Sequence, residues 1–78
     1  QLIAQELNRG ILAYNNAYAL LNGYKDYIDD ESYDTLKAYA KALEDAIDSL
    51  SKEGLDMYTP PVEQLCYSIC NQYGIQLY

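Results

Sequence analysis

The sequence predicts an all-α protein: a small three-helix bundle in which a long antiparallel helical hairpin is joined by a shorter C-terminal helix. Two long stretches predict the hairpin, because their apolar residues recur at alternating intervals of four and three. A third apolar stretch follows a proline pair and predicts the last helix. The chain has 78 residues, half of them hydrophobic, so we expect residues 1–78 to form one domain around one core.

The first helix is predicted over about residues 2–22. Its apolar stripe consists of Leu7, Ile11, Tyr14, Tyr18 and Leu21. This spacing places all five residues on one face of a helix, which predicts burial of that face. Gly10 weakens a helix interior and therefore marks close packing by another element. Asn22 and Gly23 are typical of a helix end, although Ile28 continues the stripe and leaves an alternative end near residue 29.

The second helix is predicted over about residues 31–53. Its stripe consists of Leu36, Ala40, Leu43, Ile47 and Leu50. Carboxylates at Asp29, Asp30 and Glu31 suit a helix start, where free backbone N–H groups and the positive end of the dipole favour acidic side chains. Gly54 is predicted to end this helix.

A linker is predicted over residues 55–61 and a third helix over about residues 60–73. Thr59 is a candidate N-cap, and Pro60 suits the first turn because it has no backbone N–H to leave unpaired. Gly74 ends the helix, and Ile75 and Leu77 are expected to face the bundle. Cys66 and Cys70 lie four residues apart on this helix, a geometry that disfavours a disulfide between them. We interpret them as buried thiols, and reduced thiols predict a cytoplasmic protein.

The charge balance limits the possible functions. Twelve acidic residues against five basic ones give a net charge of −7, which opposes direct binding to nucleic acid or to an anionic membrane. The acidity favours a partner protein with a basic surface, or it serves only solubility. No apolar run is long enough to predict a membrane span.

The residue types available also limit the chemistry. There is no histidine, which removes the common nucleophile–base arrangements and the histidine metal sites. A zinc site would need two ligands more than Cys66 and Cys70, and the acidic stretch does not fit a calcium loop. We therefore expect no enzyme activity, no cofactor and no metal.

The candidate partner-binding site centres on residues 24–34, YKDYIDDESYD, with five carboxylates, three tyrosines and one lysine. The candidate residues are Tyr24, Asp26, Tyr27, Asp29, Asp30, Glu31, Tyr33, Asp34, Glu44 and Asp48. On a continuous helix, carboxylates four residues apart would repeat about every 6 Å, near the order of phosphate spacing along a nucleic-acid strand. Asp26, Asp30 and Asp34 have this spacing, and Glu44 and Asp48 repeat it. Tyrosine is enriched at protein interfaces.

In size, acidity and helical content, though in no sequence motif, the chain resembles small acidic phage proteins that block DNA-binding enzymes, such as anti-CRISPR proteins. This resemblance implies an inhibitor that mimics nucleic acid and occupies a basic, nucleic-acid-binding surface of its target.

Two alternatives remain open from the sequence. The first is a self-associating structural or regulatory helical domain, in which a part of the long stripes left uncovered forms the face of a homodimer. The second is minor: Asp48-Ser49-Leu50 resembles the Asp-Ser-Leu of acyl carrier proteins, which implies a phosphopantetheine arm on Ser49. In that family the serine opens a helix, whereas Ser49 is predicted near a helix end.

Overall fold

The computed structural model describes residues 4–77 and confirms the all-α class and the three-helix bundle. The helices are α1 (Ala4–Gly23), α2 (Asp30–Asp48) and α3 (Lys52–Tyr73), and a short 3-10 helix (Lys25–Tyr27) connects α1 to α2. The start of α1 pairs with the start of α3 through Glu6 and Lys52, so these two helices are parallel. The end of α3 meets the start of α2 through Tyr73 and Asp29, so α2 is antiparallel to both. The predicted start at residue 2 lies outside the described residues.

All three helices contribute to the core. The largest fully buried side chains are Leu20, Leu36, Leu43, Leu55 and Val62. Burial of each such side chain favours folding by roughly 1.5–3 kcal/mol. Half-buried Ile75 and Leu77 pack against this core, as predicted.

The buried face of α1 differs from the predicted stripe. Ile11 and Tyr18 are 37% and 57% exposed. The buried residues of α1 are instead Gly10, Ala13, Ala17 and Leu20. Small residues at these positions allow α3 to approach closely: a Cβ at Gly10 would lie 2.6 Å from a Leu55 methyl carbon. The prediction of close packing at Gly10 is thus confirmed, and the burial predicted for Ile11 and Tyr18 is wrong.

Helix α2 begins as predicted and ends earlier. Asp29 is its N-cap, and the helix stops at Asp48 rather than near residue 53. Leu50 adopts a left-handed backbone conformation and is 59% exposed, so it does not extend the core stripe. Gly54 does not end α2, because it lies in the first turn of α3.

Ser51 is the N-cap of helix α3, and its hydroxyl accepts a hydrogen bond from the Gly54 N–H at 3.0 Å. The helix runs for 22 residues through Pro60 and Pro61, so the predicted linker is helical and α3 is not the shorter helix. Thr59 is buried in the middle of α3 and caps nothing. Leu55, Thr59 and Val62 form one buried stripe across the prolines, and this burial offsets the two intrahelical hydrogen bonds that the prolines remove.

Helix α3 ends where the sequence predicts. Gly74 is its C-cap with a left-handed φ of 66°, and the Ile75 N–H donates to the carbonyl of Cys70 at 2.9 Å. Within residues 4–77, no helix is both long and apolar enough to cross a membrane.

Candidate partner-binding site at the acidic end of the bundle

The stretch from Tyr24 to Asp34 forms one end of the bundle, which we call the acidic end. The C-termini of α1 and α3 and the N-terminus of α2 meet there. Buried Ile28, in extended conformation between the 3-10 helix and α2, anchors the stretch to the core. Asp26 precedes this anchor in the sequence, Asp30, Glu31 and Asp34 follow it, and all four residues are exposed. The acidic end holds five carboxylates against one lysine, which is −4 of the net charge of −7.

Asp29 has a structural role at this end. Its carboxylate accepts hydrogen bonds from the hydroxyl of Tyr73 and from the backbone N–H of Ser32, the latter at 3.1 Å. The backbone N–H of Asp29 donates to the same hydroxyl at 3.2 Å. These bonds, that of Tyr73 foremost, lower the pKa of Asp29 to about 2. Asp29 therefore stays ionised while it caps α2 and joins it to α3.

Most acidic residues outside the acidic end are paired with bases. Glu63 binds Arg9 at 2.6 Å, and the other pairs join Lys41 to Glu44 and Asp45 and Lys52 to Glu6 and Asp56. Five of the seven acidic residues outside the end thus lie within ion-pair distance of a base, and the five share three bases. Among the described residues, no basic side chain lies within ion-pair distance of the five carboxylates of the acidic end. This uneven pairing distinguishes the end from the rest of the surface.

The predicted row of evenly spaced carboxylates is broken. Asp26 belongs to the 3-10 helix, and extended Ile28 separates it from α2. Only Asp30 and Asp34 follow each other on one helix, with a rise of about 6 Å between them. The carboxylates therefore form a compact group at the bundle end rather than a track along one helix.

Glu44 and Asp48 do not join this group. Asp48 is the last residue of α2 and lies about 27 Å along the helix axis from Asp30. Glu44 accepts hydrogen bonds from Tyr14 at 2.8 Å and from Lys41 at 3.4 Å, so its charge is already engaged. At 100° per residue, Lys37 and Lys41 fall on the same face as Asp30 and Asp48 and interrupt the acidic stripe.

The three tyrosines of the acidic end differ in exposure. Tyr24 and Tyr33 are half-buried and pack against the core, whereas Tyr27 is 68% exposed. Lys25 extends over the ring of Tyr33, with its ammonium 5.7 Å from the ring centre. The exposed aromatic surface of the acidic end is therefore concentrated at Tyr27, while the rings of Tyr24 and Tyr33 also support the fold.

Sequence reasoning missed Tyr73. Nothing in its local pattern indicates a hydrogen bond to Asp29, which lies 44 residues away in the sequence. The signal that could have found it is topological: in a bundle with α1 and α3 parallel, the residue before the Gly74 cap reaches the start of α2. Tyr73 thereby becomes part of the site.

The other chemical candidates gain no support from the geometry. Burial raises the pKa of the Cys66 thiol to about 12 and also raises that of half-buried Cys70, so both stay protonated. No group of three metal-ligating side chains occurs within residues 4–77. Ser49 is the C-cap of α2, and its hydroxyl donates to the carbonyl of Asp45 at 2.8 Å. Ser49 therefore ends a helix, whereas the acyl carrier resemblance implies a serine that opens one.

Comparisons with protein-family models, with curated proteins and with solved structures find no match to this chain.

Proposed function

We propose that this protein is a protein-binding module whose acidic end occupies a basic surface of a partner. The observation that carries the proposal is the pairing pattern: the carboxylates of the acidic end have no basic partner within residues 4–77, whereas most others do. A basic partner can engage these charges without breaking an internal ion pair. A concentrated charge also speeds association by electrostatic steering.

Asp26 and Asp34 are the most informative residues of the acidic end. Asp29 caps α2, and Asp30 and Glu31 lie in its first turn, where they stabilise the helix dipole. Asp26 is outside α2 and Asp34 is beyond its first turn, and both are exposed. Their charges exceed what the fold requires, so they are the residues we assign to partner contact.

The sharpest form of the proposal is an inhibitor of a nucleic-acid-binding protein. A basic surface that binds phosphates is complementary to a compact group of carboxylates. Because the carboxylates cluster at one end, the contact covers a small part of such a surface, and Tyr27 adds apolar area beside it. The module and the nucleic acid would then compete for the same surface.

A pair of charge reversals tests the proposal. Asp26→Lys with Asp34→Lys changes the acidic end, and Asp48→Lys with Glu53→Lys makes the same charge change at the opposite end. Asp48 and Glu53 are exposed, and neither has an ion pair within residues 4–77. Each double variant takes the net charge from −7 to −3. We expect proteins captured from the source cells by the wild type to be lost with the first variant and kept with the second. Equal capture by both would refute the proposal.

Competition tests the inhibitor form separately. Added double-stranded DNA or RNA should displace the module from its captured partner. If the partner binds nucleic acid and the module at the same time, the module is a binding protein but not a mimic.

A second candidate function is self-association through α1. Ile11, Leu12 and Tyr18 are exposed on this helix, and its two charged residues, Glu6 and Arg9, pair with side chains of α3. Two copies of an acidic protein repel each other less when they meet on such a face than when they meet at the acidic end. Light scattering at micromolar concentration should then give a dimer mass that Leu12→Lys reduces to the monomer. A monomeric wild type would exclude this candidate.

A further inference from the structure

We propose that a tyrosine-lined cavity at the acidic end binds an arginine side chain of the partner protein. This inference rests on the proposed function, since it names the group that the acidic end recognises. The cavity has a volume of about 250 Å³ and is lined by Tyr24, Tyr27, Tyr73, Gly74, Ile75 and Gln76.

Three tyrosine side chains line the cavity. The rings of Tyr24 and Tyr27 lie 6.2 Å apart, centre to centre, and are tilted by 55°. Tyr73 contributes the third ring from the end of α3. A cation within about 6 Å of a ring centre is attracted to its negative face, and arginine makes this contact more often than lysine.

The backbone around the cavity also favours a cation. Tyr24 directly follows the last residue of α1, and Tyr73 is the last residue of α3, so the negative ends of two helix dipoles meet there. Neither helix has a basic residue in its last turn to neutralise that end. Asp29 adds a full negative charge at the hydroxyl of Tyr73, while the positive end of α2 is covered by its own carboxylates.

The acidic end already contains one contact of the proposed kind. Lys25 extends over Tyr33, with 5.7 Å between the ammonium and the ring centre, and this lysine is the only basic residue in the stretch from Tyr24 to Asp34. The rings that line the cavity are different ones. A planar guanidinium, which is weakly hydrated and stacks on aromatic rings, suits them better than a strongly hydrated ammonium.

A peptide titration followed by NMR tests the inference. The probe is a capped Gly-Gly-Arg-Gly-Gly peptide, with citrulline and lysine versions as controls, because citrulline keeps the shape of arginine without its charge. We expect the arginine peptide to shift the ring signals of Tyr24, Tyr27 and Tyr73. Tyr27→Leu should weaken binding by roughly two- to fivefold. Tyr67→Leu is the matched control, because Tyr67 on α3 is 66% exposed and lies outside the cavity.

The outcomes separate this inference from the proposed function. Suppose that the arginine peptide shifts only signals of Asp30 and Asp34, and that Tyr27→Leu binds the peptide as tightly as the wild type does. The cavity is then not the binding site, although the acidic end still binds the peptide. Equal shifts from the arginine and citrulline peptides, or tighter binding of the lysine peptide, would overturn recognition of arginine. The charge reversals at Asp26 and Asp34 would remain an independent test of the proposed function.

Discussion

The hydroxyl of Tyr73, the last residue of α3, donates a hydrogen bond to the carboxylate of Asp29, the residue that caps α2. This bond joins positions 44 residues apart in the sequence and fixes the end of α3 beside the acidic end. It also brings the ring of Tyr73 to the cavity that Tyr24 and Tyr27 line. One side-chain pair thus stabilises the fold and shapes the candidate site.

The Asp29–Tyr73 bond makes stability depend on pH in the acidic range. The pKa of Asp29 is lowered from its ordinary 3.8 to about 2 in the folded protein, first by Tyr73 and then by Ser32. A carboxyl whose pKa falls on folding stabilises the protein fully above its unfolded pKa, and this stabilisation is lost as the pH falls through the folded value. We therefore expect the contribution of Asp29 to decline between about pH 4 and pH 2.

Tyr73→Phe isolates this contribution. It removes the hydroxyl, so the pKa of Asp29 should rise from about 2 towards 3.8. Urea unfolding should show the variant less stable than the wild type at neutral pH, with a difference that narrows as the pH approaches 2. Tyr67→Phe serves as the control on an exposed tyrosine. A difference between Tyr73→Phe and the wild type that stays constant with pH would show that Asp29 is not the group responsible.

The two glycines of α1 should respond in opposite directions to alanine. A Cβ at Gly10 would lie 2.6 Å from a methyl carbon of fully buried Leu55, whereas a Cβ at Gly23 would meet no atom of the described residues within 4 Å. We expect Gly10→Ala to lower the free energy of unfolding by about 1 kcal/mol, because overpacking outweighs the gain in helix propensity. Gly23→Ala should raise it by about 0.5 kcal/mol. Chemical denaturation measures both, and stabilisation by Gly10→Ala would contradict the close approach of α1 and α3.

The start of α3 can be checked through its cap. Ser51→Ala removes the acceptor of the Gly54 N–H and should cost about 1 kcal/mol of unfolding free energy. Ser49→Ala, two residues earlier at the exposed end of α2, should change it much less. If Ser51→Ala leaves the free energy of unfolding unchanged, the first turns of α3 contribute little to stability. The stable part of α3 would then be closer to the helix predicted over about residues 60–73.

The third helix shows where sequence reasoning succeeds and fails. Leu55, Thr59 and Val62 carry the same four-and-three spacing that identifies the other helices, so the full length of α3 was visible in the pattern. The prediction nevertheless begins the helix at Pro60, because a proline costs ~3 kcal/mol or more inside an isolated helix. Burial of Leu55 and Val62 against the other helices offsets that local penalty. This burial cannot be deduced from the residues around the prolines alone.

The prediction of the buried face of α1 is wrong for a related reason. Spacing alone could not decide between Leu7, Ile11 and Tyr18 on one side and Gly10, Ala13 and Ala17 on the other, because both sets lie along the helix at compatible intervals. Close packing against α3 selects the small residues. Whether two helices fit each other in size depends on both of their surfaces, so it cannot be predicted from the sequence of one helix alone.

The candidate site was predicted in part. Residues 24–34 and the cap at Asp29 follow from local charge and turn chemistry. The distance of Glu44 and Asp48 from them and the lysines that interrupt the stripe follow from helix geometry over the predicted second helix, so both could have been read from the sequence. The approach of Tyr73 to Asp29 depends on the packing of α3 against α2 and needed the structure.

The most direct test of the central claim is the salt dependence of partner binding, measured by titration calorimetry with the captured partner. Binding through the acidic end predicts affinity that falls steeply as salt rises, since the charges are exposed and screened. The Asp26→Lys/Asp34→Lys variant should bind the partner much more weakly, and its affinity should no longer depend on salt. The Asp48→Lys/Glu53→Lys variant should keep most of the affinity and most of its salt dependence. Equal affinity and equal salt dependence in the two variants would contradict the claim that the acidic end binds the partner.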